Sequence, residues 1–159
     1  MIRDAGPADV GQLLRLIQEL AEFERASDAV QATEEDLHGA LFCPDPKVFA
    51  LVAEEAGSVV GMAIYFVSFS TWTGRHGLYL EDIFVVPEHR SRGLGRELVT
   101  ALAVCAVQLG CSRVEWAVLD WNEAAIGFYE SLGAEAMDDW TTFRISGQSL
   151  AALGRSSTS

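Results

Sequence analysis

The chain has 159 residues, a length that suits one domain, and half of them are hydrophobic, which is enough for a core and excludes wholesale disorder. Eleven Lys and Arg stand against 23 Asp and Glu, a net charge of −12 that argues against general binding to nucleic acid or anionic membranes and favours a cationic small-molecule partner. The cysteines Cys43, Cys105 and Cys111 form no CxxC pair, so neither a disulfide framework nor a metal site is expected, and reduced thiols fit a cytoplasmic protein.

The opening residues, MIRDAGPADV, lack the apolar run of a signal peptide, and Met1 to Asp4 reads as a short strand. Pro7 suits a first helical turn, and Val10, Leu13, Leu14, Ile17, Leu20 and Ala21 recur at three- and four-residue spacing, which predicts an amphipathic helix to about Glu24. Thr33 with Asp36 forms a capping-box pattern and opens a second, short helix. Val48 to Glu54 and Val59 to Phe69 read as strands joined by a turn at Gly57-Ser58, and Leu78 to Val86 as a third after a loop flanked by Gly74 and Gly77. Pro87 ends that strand. Gly93 and Gly95 precede a helix patterned by Leu98, Val99, Leu102, Ala103, Ala106 and Leu109 and closed by Gly110. This stretch, the longest apolar one, falls short of the roughly 20 residues of a membrane span. Arg113 to Val118 is a further strand, Asn122 caps a helix to Leu132, and Thr141 to Ile145 is a last strand. The expected domain covers residues 1–153, and residues 154–159 (GRSSTS) read as a disordered tail. Hairpin-linked strands followed by strand–helix alternation predict a mixed sheet.

The chemistry concentrates between Tyr79 and Arg96, in YLEDIFVVPEHRSRGLGR. A strand runs into a glycine-containing loop and then a helix start, with Arg90, Arg92 and Arg96 inside seven residues. Backbone N–H groups in such a loop converge on an anion, and the helix dipole adds to them. The loop has neither the G-x-x-x-x-G-K-[ST] of a nucleotide P-loop nor the G-x-G-x-x-G of a dinucleotide fold. R-x-x-G-x-G after a strand instead resembles the acetyl-CoA pyrophosphate loop of the GNAT (Gcn5-related) N-acetyltransferases. A second segment, WNEAAIGFYESLGA from Trp121 to Ala134, resembles that superfamily's other signature. Further segments, LIQELAEFE from Leu16, TEEDL from Thr33 and LYLED from Leu78, are similar to the diamine (spermidine/spermine) N-acetyltransferases. STW at Ser70 and VLDWN at Val118 look closest to the branch of diamine acetyltransferase 2, or thialysine Nε-acetyltransferase.

The resemblance implies a single-domain α/β (α+β) fold, with a mixed central sheet of about six to seven strands flanked by about four helices. It implies acetyl-CoA as cosubstrate, no metal, a small cationic amine as acceptor and a homodimer. Residues carry over by position. The backbone of Ile83, Phe84 and Val85 would grip the pantetheine arm and polarise the thioester carbonyl, with a β-bulge freeing an N–H. Arg90, Ser91, Arg92, Gly93, Leu94, Gly95 and Arg96 would hold the pyrophosphate, and Asn122 the pantetheine. Tyr129 would donate a proton to the departing thiolate. Glu81, through water, would take the proton of the amine; in the strand Glu81 and Asp82 point to opposite faces, and the resemblance selects Glu81. Phe23 and Glu24 match the substrate lip, and Trp72 joins them.

Two departures bear on the acceptor. Ser70 stands where the spermidine branch carries an acid, which favours thialysine, lysine-like amines or short diamines. The loop from Gly74 to Gly77 is one residue longer. His76 and His89 read as surface histidines. The alternatives are a GNAT enzyme acting on a protein lysine or N-terminus, and a non-catalytic acyl-CoA-binding module.

Overall fold

A computed structural model describes residues 1–155. The strands are β1 (Ile2–Asp4), β2 (Val48–Glu55), β3 (Ser58–Ser70), β4 (Arg75–Val85) and β5 (Val114–Trp116). The helices are α1 (Val10–Phe23), α2 (Glu34–Leu41), α3 (Leu94–Gln108), α4 (Glu123–Ser131) and α5 (Gly147–Arg155). Residues Met1–Leu119 form one compact unit, and a second begins at Asp120.

In the first unit the strands lie in the order β1-β2-β3-β4-β5, antiparallel up to β4, with β5 parallel to β4. The α3 connection explains that last pairing, because parallel neighbours need a crossover. The sheet is therefore mixed, as expected, but it has five strands among the described residues rather than six or seven. Thr141 to Ile145 has strand propensity yet forms no ladder, and a strand without a partner leaves its backbone groups to water. The α-helices among the described residues number five rather than about four. Residues 148–153, mostly good helix formers, carry α5, which takes in Gly154 and Arg155 of the expected tail; the rest of that tail lies outside the described residues.

β4 begins at Arg75, three residues earlier than its apolar pattern suggests, because the β3–β4 hairpin closes at the Ser70–Arg75 rung. Gly77 is thus a buried strand residue and not a loop flank. A Cβ there would stand 3.0 Å from the Arg113 carbonyl oxygen and 3.1 Å from Ser68 Oγ. Glycine serves here for the close approach of β5, not for a turn.

Strand β3 is buried continuously from Val59 to Tyr65, so both faces of the sheet are covered. α1 packs on β3 and β4 through Leu13 and Leu16, and α3 packs across β1 to β4 through Leu94, Leu98, Leu102 and Ala106. The Tyr65 phenol meets Cys105 of α3, and burial pushes its pKa up to about 12. Asp82, on the neighbouring rung with Ile64, instead feels Glu24 at the end of α1. The two helices therefore lie on opposite faces.

Candidate active site

Four features of the first unit converge around the C-terminal half of β4. The first is a bulge. Ile64 pairs with Asp82 and Tyr65 with Leu80, so Glu81 is an extra residue without a rung. The expected bulge lies in this strand, just before Ile83 and not within Ile83–Val85. It breaks the two-residue alternation, and Asp82 joins Tyr79 and Phe84 on the α1 face. The expectation that Glu81 and Asp82 face opposite sides assumed an unbroken strand and no longer applies.

The second feature is an unpaired edge. β5 pairs with β4 only at Leu78, Tyr79 and Leu80. From Glu81 to Val85 the β5-side edge of β4 has no strand partner among the described residues. Backbone N–H and C=O groups on such an edge are available to an extended ligand.

The third feature is a group of carboxylates. Asp82 is pushed up to about 6, mainly by burial and then by the negative charges of Glu81 and Glu24. Burial also raises the Glu24 carboxyl. Glu81 is exposed, and with Glu115 it raises the Tyr79 phenol beyond the effect of burial. Three acids of different solvation thus address one place, which suits a cationic amine.

The fourth is the loop after β4. Ser91 sits at φ 64° and Gly93, the N-cap of α3, at φ 83°. Leu94, Gly95 and Arg96 form the first turn of α3, whose amides have no carbonyl partner within the helix. A side chain on Gly93 would meet nothing within 4 Å, so the loop fronts open space. Exposed amides, a helix N-terminus and the exposed Arg92 and Arg96 fit a diphosphate.

Arg90 is placed differently from its loop neighbours. Its Nε donates to the Val85 carbonyl at 2.9 Å, and its guanidinium lies 5.1 Å from the Phe23 ring centroid and 5.2 Å from that of Phe84. It links the end of α1 to the end of β4. A groove of about 670 Å³ runs beside it, between Arg15, Glu22 and Phe23 of α1 and Phe84 with the segment from Val86 to Arg90. Phe23 thus faces Phe84 across Arg90, and the charge of Glu24 is felt at Asp82. Trp72 is 88% exposed on the β3–β4 turn, about 20 Å of strand from Glu81. Ser70 is buried there, accepting from the Thr73 amide, and serves the turn.

In the second unit the Asn122 side chain accepts from the Ala125 amide at 3.2 Å and so caps α4. Its amide NH₂ remains as a donor. Tyr129 lies in the last turns of α4, its ring 5.4 Å from that of Phe128. Glu55 escaped the sequence reading, and His89, read as a surface histidine, is half-buried and paired with it. His89 Nδ1 stands 2.6 Å from Glu55 Oε2, across 34 residues of chain, and no local pattern marks such a pair. Among the described residues no group of three His, Cys, Asp or Glu could hold a metal ion.

The model of the acetyltransferase (GNAT) family matches residues 13–134. The chain is 42% identical to a thialysine N-epsilon-acetyltransferase of Bos taurus, covering 96% of each protein. It is 32% identical to an L-ornithine N5-acetyltransferase of Arabidopsis thaliana, over 97% of this chain and 87% of that one. Among solved structures, an integron cassette protein of V. cholerae superposes with a TM-score of 0.81 at 28% identity, over 98% of this chain and 97% of its own.

Proposed function

The chain belongs to the acetyltransferase (GNAT) family and is an acetyltransferase, and from that premise we propose that it transfers the acetyl group of acetyl-CoA to the terminal amine of a small cationic acceptor. Thialysine, lysine-like amines, ornithine and short diamines make up the acceptor class. The observation that carries this reading is the free β4 edge from Glu81 to Val85, leading into the anion loop and flanked by Glu24, Glu81 and Asp82. The names of the two relatives point the same way, since thialysine and ornithine are both amino acids with a primary amine at the end of the side chain.

Each residue has one task in this scheme. Amides from Ser91 to Arg96, with Arg92 and Arg96, bind the diphosphate. The β4 edge at Ile83, Phe84 and Val85 aligns the pantetheine arm, and one of its N–H groups stabilises the charge that develops on the thioester oxygen. The Asn122 amide adds a pantetheine contact. Phe23 and Glu24 form the lip, with Arg90 fixing Phe23 against Phe84.

An amine of ordinary pKa about 10.4 arrives protonated. Glu24, Glu81 and Asp82 attract that cation, which favours binding but opposes proton loss. Glu81, exposed at the bulge, takes the amine's proton through water, while the half-buried Asp82 holds the nitrogen. Tyr129 gives its phenolic proton to the departing thiolate; with ordinary values near 10 and 8.5 the transfer is nearly balanced.

We also take the protein as a cytoplasmic homodimer. Three unpaired cysteines support the compartment, and exposed Met137, Trp140 and Phe143 support a partner copy. No helix among the described residues is long and apolar enough to cross a membrane.

The test is a thiol-release assay with a panel of amines: thialysine, lysine, ornithine, putrescine, spermidine and a lysine-containing peptide. Turnover of the small amines, and none of the peptide, is the expected result. Acetyl-CoA binding without turnover of any amine would make the chain a binding module, and turnover of the peptide alone would make it a protein acetyltransferase.

A further inference from the structure

We propose that Glu55, at the end of β2, is a positioning residue for the anion loop: its carboxylate ties His89 tightly and Arg92 loosely, presetting the backbone from Ser91 to Arg96 for a diphosphate. The proposal rests on the reading above that this loop holds the diphosphate of acetyl-CoA.

At the root of the loop the Val86 amide donates to the Val60 carbonyl of β3 at 2.9 Å; beyond it the loop's other hydrogen bonds are local. The His89 amide donates to the Val86 carbonyl, the Arg90 amide to that of Pro87, and Arg90 Nε to that of Val85. All span five residues or fewer. They fix the shape of the turn without tying its far part, from His89 onward, to the β2–β3 end of the sheet. Glu55 supplies that tie, since its partners lie 34 and 37 residues away.

The two contacts differ in strength. His89 Nδ1 is 2.6 Å from Oε2. An ionised carboxylate only accepts, so Nδ1 carries the hydrogen and the bond is charge-assisted. Arg92 Nη1 stands 3.5 Å from the same oxygen, at the limit of a hydrogen bond. Arg92 can therefore leave for a stronger anion while the His89 tie persists.

Ser91 lies between these two ties at φ 64°. A serine holds the left-handed conformation only where its surroundings fix it. Anchoring His89 on one side and Arg92 on the other to one oxygen does this. The loop then meets an anion with its amides already turned outward, which lowers the ordering cost of binding.

The experiment compares wild type, Glu55→Ala, Glu55→Gln and the Glu55→Ala/His89→Ala pair. In the protein free of acetyl-CoA, Glu55→Ala is expected to speed amide exchange from Ser91 to Leu94 at least tenfold, while Val59 to Ile64 stay as protected as in wild type. The KM for acetyl-CoA is expected to rise about tenfold, with kcat and the KM for the amine within twofold. Glu55→Gln keeps an acceptor for the His89 N–H and should recover most of the KM. His89→Ala should add little on top of Glu55→Ala, because the two side chains act as one. Unchanged loop exchange, faster exchange with an unchanged KM, or Gln no better than Ala would overturn the proposal while the enzyme still turns over. Absence of acetyl-CoA binding by wild type in calorimetry, with a loop that still responds to Glu55→Ala, would mark failure of the cosubstrate reading, and the proposal would fall with it.

Discussion

Asp82, which holds the amine, and Tyr129, which protonates the thiolate, can each be addressed alone in the proposed reaction. Asp82 carries a pKa of about 6, raised by burial and then by Glu81 and Glu24. A carboxyl raised above its unfolded value of about 3.9 binds more protons in the folded state, so it costs stability as pH rises from 4 through 6. The ionised form, which attracts the amine, is filled over the same window. The kcat/KM for a cationic amine should therefore rise with pH through about 6. Asp82→Asn should remove that limb from the pH profile and make the fold more stable at pH 7 relative to pH 4 than wild type is. A limb that survives the substitution assigns it to another group. Tyr129→Phe removes one oxygen and leaves the ring. If the phenol protonates the thiolate, kcat should fall by about 10- to 1,000-fold, the range of a positioned acid, with acetyl-CoA affinity nearly unchanged. Unaltered turnover would take Tyr129 out of the mechanism.

At the scale of elements, glycines give the sharpest test of why the sheet ends as it does. Gly77→Ala places a methyl 3.0 Å from the Arg113 carbonyl oxygen, which belongs to the chain entering β5. Backbone cannot move aside cheaply, so about 1–3 kcal/mol of stability should be lost. Gly39 lies exposed inside α2 with nothing within 4 Å of its Cβ position, and Gly39→Ala should gain about 0.5–1 kcal/mol. Denaturant unfolding of the two variants should move in opposite directions. The same contrast shows how far the sequence could be read. Apolar spacing marked α1, the Thr33–Asp36 capping box marked α2, and strand-like runs on either side of the Gly57-Ser58 turn marked β2 and β3, because each signal is local. Gly77 misled because a glycine between apolar runs reads as a turn, whereas here it answers to a neighbour 36 residues away. A bulge in β4 was expected, but its place at Glu81 was beyond reach for a like reason: register against Ile64 and Tyr65 decides it. The R-x-x-G-x-G loop was legible because close backbone approach constrains consecutive residues. Its clasp to Glu55 was not, since that depends on how the hairpin folds back.

Charge and exposure together set the expectations for the whole molecule. A net charge of −12 keeps copies apart in general, so any self-association must rest on a specific apolar patch. The segment from Met137 to Ile145 supplies one. Met137, Trp140, Phe143 and Ile145 are all exposed, Phe143 to 92%, in a stretch whose sequence has strand character but forms no ladder among the described residues. Large apolar side chains in such number rarely face water in a monomer. If this stretch meets a second copy, unpaired backbone and apolar side chains are satisfied together, and a symmetric pair is the commonest way to close such a contact. Sedimentation should then give twice the mass of the chain for wild type. Phe143→Asp would bury a carboxylate in the contact and should yield a species of single mass that keeps its secondary structure by circular dichroism. A wild type that sediments as a single chain at tens of micromolar removes the dimer from the reading. A Phe143→Asp protein that remains double moves the contact elsewhere on the surface.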